Sequence, residues 1–282
     1  MQIHLSQSIS LSAVNASGGI WNRQTGSYTG VFGRNVINVK KEKNDVIFKG
    51  ICDGDIKAVC QQYFDLSYNY EDIKGRLSKI DIYLKTSIEY GFGIRILNQD
   101  LWETIISFII SANNNIPRIK GIIERISKAY GEAIIWNDKA YYTFPTVEEL
   151  GQASIPDLRG LGLGFRDVRV YETTKMIGNK EVSLEDLRQE NNLEKLREKL
   201  LLLPGVGPKV ADCIMLFSLK KTEVFPIDVW VDRVMNELYN VGADDPIRPN
   251  MNKKQIQLLA KEKYGDLAGL AQQYLFYWRK EA

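Results

Sequence analysis

Histidine is almost missing from this 282-residue chain, with His4 its single copy. Imidazole acid/base chemistry and histidine metal sites are therefore nearly excluded, and titratable work falls to Lys, Asp, Glu, Cys or Tyr. Cysteine is almost as scarce. Cys52, Cys60 and Cys213 are not closely spaced, so neither a disulfide framework nor a zinc spacing is present, and a reducing cytoplasm is the expected setting. Charge of one sign is lacking too, since 37 Lys and Arg against 35 Asp and Glu leave a net charge of +2. A surface for nucleic acid would have to be a local patch. No apolar run reaches membrane-spanning length. The opening MQIHLSQSISLSAV lacks the basic start and continuous apolar core of a signal peptide. What is present is an ordinary globular balance, 44% hydrophobic and 26% charged, in a chain long enough for a sizeable core.

The pattern along the chain predicts an α+β fold. Up to about residue 51, short β-type runs at Ser27–Phe32, Asn35–Lys41 and Asp45–Ile51 are broken by Gly30, Gly33 and Asn44-Asp45, as in a twisted antiparallel sheet. Asp55–Leu66 and Tyr70–Ile80 then take helical spacing. Asn98 is read as the cap of a helix whose Leu101, Ile105, Ile106, Phe108, Ile109 and Ile110 are apolar nearly all round, marking a central core helix. A further helix follows from Pro117 to Gly131, and 131–144 is read as an irregular aromatic-bearing loop. Thr146 with Glu149, and Ser183 with Asp186, have capping-box spacing. The glycine-rich run Leu158–Arg166 follows no strand, so a tight helix–helix turn fits it better than a dinucleotide fingerprint. Gly242–Pro249 is read as a loop, and two helices, Asn252–Tyr264 and Asp266–Glu281, close the chain.

One stretch carries chemistry. Glu194–Leu202 is helical, Leu203-Pro204-Gly205-Val206-Gly207 breaks it, and Pro208 opens another helix, where its missing N–H costs nothing. Such a glycine hairpin leaves amide N–H groups uncovered and able to hold a phosphate. Lys209 falls in the first turn, where unpaired N–H groups carry partial positive charge. That field disfavours an ammonium and so favours a nucleophilic amine. Downstream, Pro226-Ile227-Asp228-Val229 sets a carboxylate where the next helix begins. Singly, a lysine there is an ordinary surface charge and an aspartate there an ordinary N-cap. Together with the hairpin they form the amine–carboxylate pair that Schiff-base chemistry on a sugar carbon requires.

This segment resembles the helix-hairpin-helix, Gly/Pro-rich loop and aspartate signature of base-excision DNA glycosylases, and within them the 8-oxoguanine DNA glycosylase/AP lyases. The resemblance implies that Lys209 attacks C1′ of the damaged nucleotide and that Asp228 assists. It implies that Gly205, Val206 and Gly207 hold DNA phosphate, with Trp230 standing where the family has a histidine. A lesion-base pocket would comprise Gly18, Cys213, Gln272 and Phe276: Gln272 pairs with the purine edge, Phe276 and Cys213 flank its faces, and the Gly18 carbonyl accepts the N7–H of the oxidised base. Around Gly18 the family's glutamine-serine-phenylalanine-arginine run is replaced by Gly19-Ile20-Trp21-Asn22. Asn113, Arg118, Phe165 and Arg166 match positions that face the cytosine left unpaired, Phe165 having the ring of the family tyrosine without its hydroxyl. Carbonyls of Leu201, Leu203 and Val206 match a monovalent-cation site. The four-cysteine cluster of the iron–sulfur branch is missing.

By that resemblance residues 1–92 form an antiparallel β-sheet domain with flanking helices, 93–192 a helical domain, and 193–282 the helix-hairpin-helix catalytic and base-pocket region. The expected protein is a monomer acting on double-stranded DNA that contains 8-oxoguanine, with no cofactor, no catalytic metal and no membrane. It would be cytoplasmic, and nucleoid-associated in a bacterium. Two other readings stay open on the sequence. A related glycosylase for alkylated purines typically lacks the lysine. A non-catalytic DNA-structure-binding protein commonly repeats the hairpin, of which one good copy is found here.

Overall fold

The N-terminal strands form because β-branched and aromatic residues alternate between turn residues over 27–51. In the computed structural model, which describes residues 2–4, 20–24, 27–42, 45–240 and 249–281, β3 (Ser27–Phe32), β4 (Asn35–Glu42) and β5 (Asp45–Ile51) make an antiparallel meander. Strands β1 (Gln2–His4) and β2 (Ile20–Gln24) extend it in the order β1-β5-β4-β3-β2. Tyr28, Phe32, Ile37, Val39 and Phe48 pack with Cys60, Tyr63 and Phe64 at helix α1 (Ile56–Tyr63). Phe32 stacks on Tyr63 with ring centroids 3.7 Å apart. The residue read as a pocket member, Gly18, and the loop read at 242–249 fall wholly or largely outside the described residues.

Helices α2 (Tyr70–Leu77) and α3 (Ile82–Tyr90) lead to the central helix α4 (Leu101–Ser111). Asp100 caps α4 by accepting from the Glu103 N–H at 3.0 Å, so the cap lies two residues later than the Asn98 expected. Asn98 is engaged elsewhere, its amide donating to the carbonyl of Gln62 and to Asp65. Ile105, Ile106, Ile109 and Ile110 of α4 are fully buried. Helix α5 (Ile116–Tyr130) follows, with Asn115 as its cap and Gly131 at its end.

The segment read as an irregular loop is instead a hairpin, β6 (Ala133–Trp136) with β7 (Lys139–Tyr142). Its two turn residues, Asn137 and Asp138, have φ of 49° and 57°. Two residues in the left-handed region match strand twist, and Asn and Asp tolerate it among non-glycine residues. Helices α6 (Val147–Leu150), α7 (Ile155–Gly160), α8 (Asp167–Gly178) and α9 (Leu184–Gln189) come next. Thr146 and Glu149 form the expected reciprocal capping box, whereas at Ser183 only the forward bond to the Asp186 N–H is present. Then come α10 (Leu193–Leu201), α11 (Pro208–Ser218), α12 (Val229–Tyr239), α13 (Lys253–Tyr264) and α14 (Ala268–Glu281).

One apolar core runs from Tyr70 on α2 to Leu275 on α14, and α11 packs directly on α4. No described helix is long and apolar enough to cross a membrane. Because Ile105 is fully enclosed in this core, Ile105→Ala should lower unfolding free energy by about 2–5 kcal/mol, read from the shift in urea midpoint at unchanged m-value.

Candidate active site and nucleic-acid interface

The hairpin joins two helices at an angle that requires a left-handed residue. Gly205 supplies it with φ of 89°, and a Cβ there would lie 3.0 Å from Arg169 Cδ and 3.1 Å from Ile109 Cγ2. The turn is tied down by the Val206 N–H donating to the Leu203 carbonyl at 3.0 Å and by Thr173 Oγ1 donating to the Pro204 carbonyl at 3.1 Å. Gly207 is the N-cap of α11 and offers no side-chain cap. The first-turn N–H groups of α11 therefore have no side-chain acceptor, which is the arrangement that accepts a phosphate. Leu202 beside the turn is 63% exposed. Of the three carbonyls matched to a cation site, that of Leu203 already accepts the Val206 N–H.

Lys209 emerges half-buried from that first turn. Its Nζ lies 5.2 Å from the centroid of the Phe108 ring, and its charge acts on the thiol of Cys213 one turn further on. Burial pushes the Cys213 thiol up to about 11, against the opposing pull of Lys209, while Asp212 and Asp228 add to the rise. Amine, thiol and the Asp228 carboxylate thus share one electrostatic neighbourhood. Asp228 caps α12, its Oδ1 accepting from the Val231 N–H at 2.8 Å. The segment before it is pinned in the core by buried Val224, Phe225 and Ile227. Lys209, Cys213 and Phe217 recur every fourth residue and so line one face of α11.

Gln272 and Phe276 sit on α14 at the same spacing. Gln272 is buried, and its Oε1 accepts from Gln273 Nε2 at 2.6 Å; Phe276 is half-buried against the helical core. Two aromatic residues join this region that the sequence reading did not single out as site residues. Phe108 stacks on Phe217 at 5.7 Å and 13°. In a helix as largely apolar as α4, periodicity cannot separate a residue beneath the Lys209 amine from a core residue.

Asn113, with φ of 50°, and Arg118 are exposed at the turn between α4 and α5. Arg118 Nη2 donates to the Gly162 carbonyl at 3.3 Å, and Arg125, also missed, donates to the Leu161 carbonyl at 2.7 Å. Phe165 is 56% exposed, with the Arg166 and Arg169 guanidinium carbons 4.2 and 5.3 Å from its ring centroid. Arg166 differs from the expectation that it faces DNA. It is only 1% exposed and donates to the carbonyls of Ala112 at 2.6 and 2.8 Å, Asn113 at 2.7 Å and Leu163 at 3.3 Å. A buried guanidinium needs its donors satisfied, and here it holds the Asn113 turn in place. Trp230 is half exposed at the start of α12, near Arg233. Among the described residues no group of three or more His, Cys, Asp or Glu could hold a metal ion.

This geometry is found in a chain whose residues 3–105 match the 8-oxoguanine DNA glycosylase N-terminal domain and whose residues 106–261 match the HhH-GPD superfamily of base excision DNA repair proteins. A probable N-glycosylase/DNA lyase of Methanothermobacter thermautotrophicus is 35% identical over 243 residues, 78% of this chain and 74% of the relative. The N-glycosylase/DNA lyase of Saccharomyces cerevisiae is 36% identical over 211 residues, 65% of this chain and 56% of the relative. The Clostridium acetobutylicum 8-oxoguanine glycosylase/lyase, solved with double-stranded DNA containing cytosine opposite 8-oxoguanine, superposes with a TM-score of 0.90 at 39% identity over 100% of this chain and 98% of that one.

Two outcomes follow from the site's geometry. Gly205→Ala, strained in φ and crowded by Arg169 and Ile109, should lower stability by about 1–3 kcal/mol and weaken binding to undamaged duplex at fixed salt, checked by thermal melts and a binding titration. At Cys213 burial pushes the native thiol up to about 11, above the unfolded value of about 8.5. The native state therefore holds the extra proton between those values, and its stability must fall as pH rises through that window. Urea melts of Cys213→Ala should show a shallower loss over the same range than the unsubstituted protein.

Proposed function

The chain belongs to the 8-oxoguanine DNA glycosylase branch of the HhH-GPD base excision repair superfamily, and from that membership we propose how its own residues do the work. It is a bifunctional N-glycosylase and AP lyase that excises 8-oxoguanine from duplex DNA through a lysine Schiff base and then nicks the strand. The observation that carries the assignment of roles is the convergence of the Lys209 amine, the Cys213 thiol and the Asp228 carboxylate beside an uncapped helix N-terminus.

The first-turn amides of α11, with Gly205, Val206 and Gly207 shaping their approach, hold a phosphate next to the lesion. The damaged nucleotide leaves the stack, at a cost on the order of a few kcal/mol, because C1′ is inaccessible inside it. The neutral Lys209 amine forms a bond to C1′ while the C1′–N9 bond breaks and the base departs with its electron pair. Asp228, aimed by its cap on α12, stabilises the positive charge that develops on the sugar. Loss of the amine proton and sugar-ring opening give the imine. That electron sink allows a C2′ proton to be removed and the C3′–O bond to break, which nicks the strand.

Gln272 would read the purine edge, while Phe276 and Cys213 enclose its faces. Asn113, Arg118 and Phe165 would occupy the gap and face the orphaned partner base, with Arg166 behind them. Trp230 would lie along the phosphate side, its indole N–H the available donor. The Leu201, Leu203 and Val206 carbonyls would hold a monovalent cation at the hairpin. A reducing cytoplasm suits three free thiols.

Borohydride trapping on a duplex containing 8-oxoguanine opposite cytosine tests the assignment. The protein should form a covalent adduct, and Lys209→Gln should form none, with base release lowered on the order of 10³-fold or more. Full-rate base release by Lys209→Gln would overturn it.

A further inference from the structure

Behind the reactive face of α11 lies a buried carboxylate that none of these steps uses. Asp212 lies about 60° round α11 from Lys209, on the side away from Cys213 and about 100° from it, and is 3% exposed. Both of its oxygens are committed. Arg197 on α10 donates to Oδ1 through Nε at 3.1 Å and Nη2 at 2.8 Å. Gln257 on α13 donates to Oδ2 at 3.2 Å and to the Phe225 carbonyl at 2.8 Å. Arg197 in turn pairs with Glu194 at 3.2 Å.

These bonds connect the parts that must stay in register. Asp212 is three residues from Lys209, and Phe225 is three residues from Asp228. Arg197 belongs to the first arm of the phosphate hairpin. We propose that Asp212 is a positioning residue, joining the amine-bearing helix, the hairpin arm and the carboxylate-bearing segment so that Lys209 and Asp228 meet the sugar together. The inference rests on the lysine Schiff-base reading above. A buried charge is a costly way to gain stability, but its directional bonds hold geometry in a way that apolar contacts, which slide, do not. Reaction through a near-attack arrangement is sensitive to such displacement, about 10²-fold for 1 Å.

Asp212→Asn has nearly the same shape but sets an amide donor against the donors of Arg197 or Gln257. Gln257→Leu leaves the ion pair intact and removes the link to Phe225, and it stands in if Asp212→Asn does not fold. Duplex affinity, single-turnover base release and the yield of borohydride-trapped imine are to be measured per folded molecule, with folding followed by circular dichroism. The expected result is affinity within about threefold of the unsubstituted protein, with base release and trapping lowered about 10–100-fold in Asp212→Asn and about 3–10-fold in Gln257→Leu. Unchanged rates in folded Asp212→Asn, or in Gln257→Leu where the first does not fold, overturn the inference, since a purely structural role moves only the melting temperature. If the unsubstituted protein itself forms no imine adduct, the Schiff-base reading fails instead.

Discussion

A helix that begins without a side-chain cap leaves donors that something else must satisfy, and the start of α11 is such a place. Gly207 offers no side-chain oxygen to the first-turn N–H groups, and Pro208 removes one of them. What remains is a fixed patch of partial positive charge beside an amine. That patch is suited to attract a phosphate. Attraction of an anion to this turn thus comes from unpaired backbone, without any contribution from net charge, which is +2 overall.

Helix α4 is the part that makes this arrangement rigid. Ile109 sits against Gly205 of the hairpin, Phe108 lies beneath Lys209 and on Phe217, and the carbonyls that follow it accept from buried Arg166. A largely apolar helix can support the lysine, the glycine hairpin and the Asn113 turn together because each packs on a different part of it or on the turn at its end. The cost of misplacing any one of them is spread through a close-packed interior.

The site's titration follows from burial more than from charge pairing. Cys213 stays a thiol because its desolvation outweighs the neighbouring amine, so it presents a soft, neutral wall rather than a competing nucleophile. Asp212 is raised by burial, against the opposing pull of Arg197 and Gln257.

The α+β division, the central helix and the glycine hairpin were all legible in the chain. Strong local signals carry them: β-branched alternation at 27–51, a largely apolar run at 101–110, and Pro and Gly at the hairpin. The turn at Asn137-Asp138 was local too, yet it was missed, because it depends on left-handed angles that Asn and Asp tolerate but do not announce. Asn98 could cap as well as Asp100 by residue type, and only packing against Gln62 and Asp65 decided between them. The sequence by itself determined which groups could react. Tertiary structure alone decided that Arg166 turns inward, that Phe108 lies under the amine, and that Asp212 gathers Arg197 and Gln257 around it. Those partners are 15 and 45 residues from Asp212, and contacts across such separations are set by packing of whole elements, which no local pattern encodes.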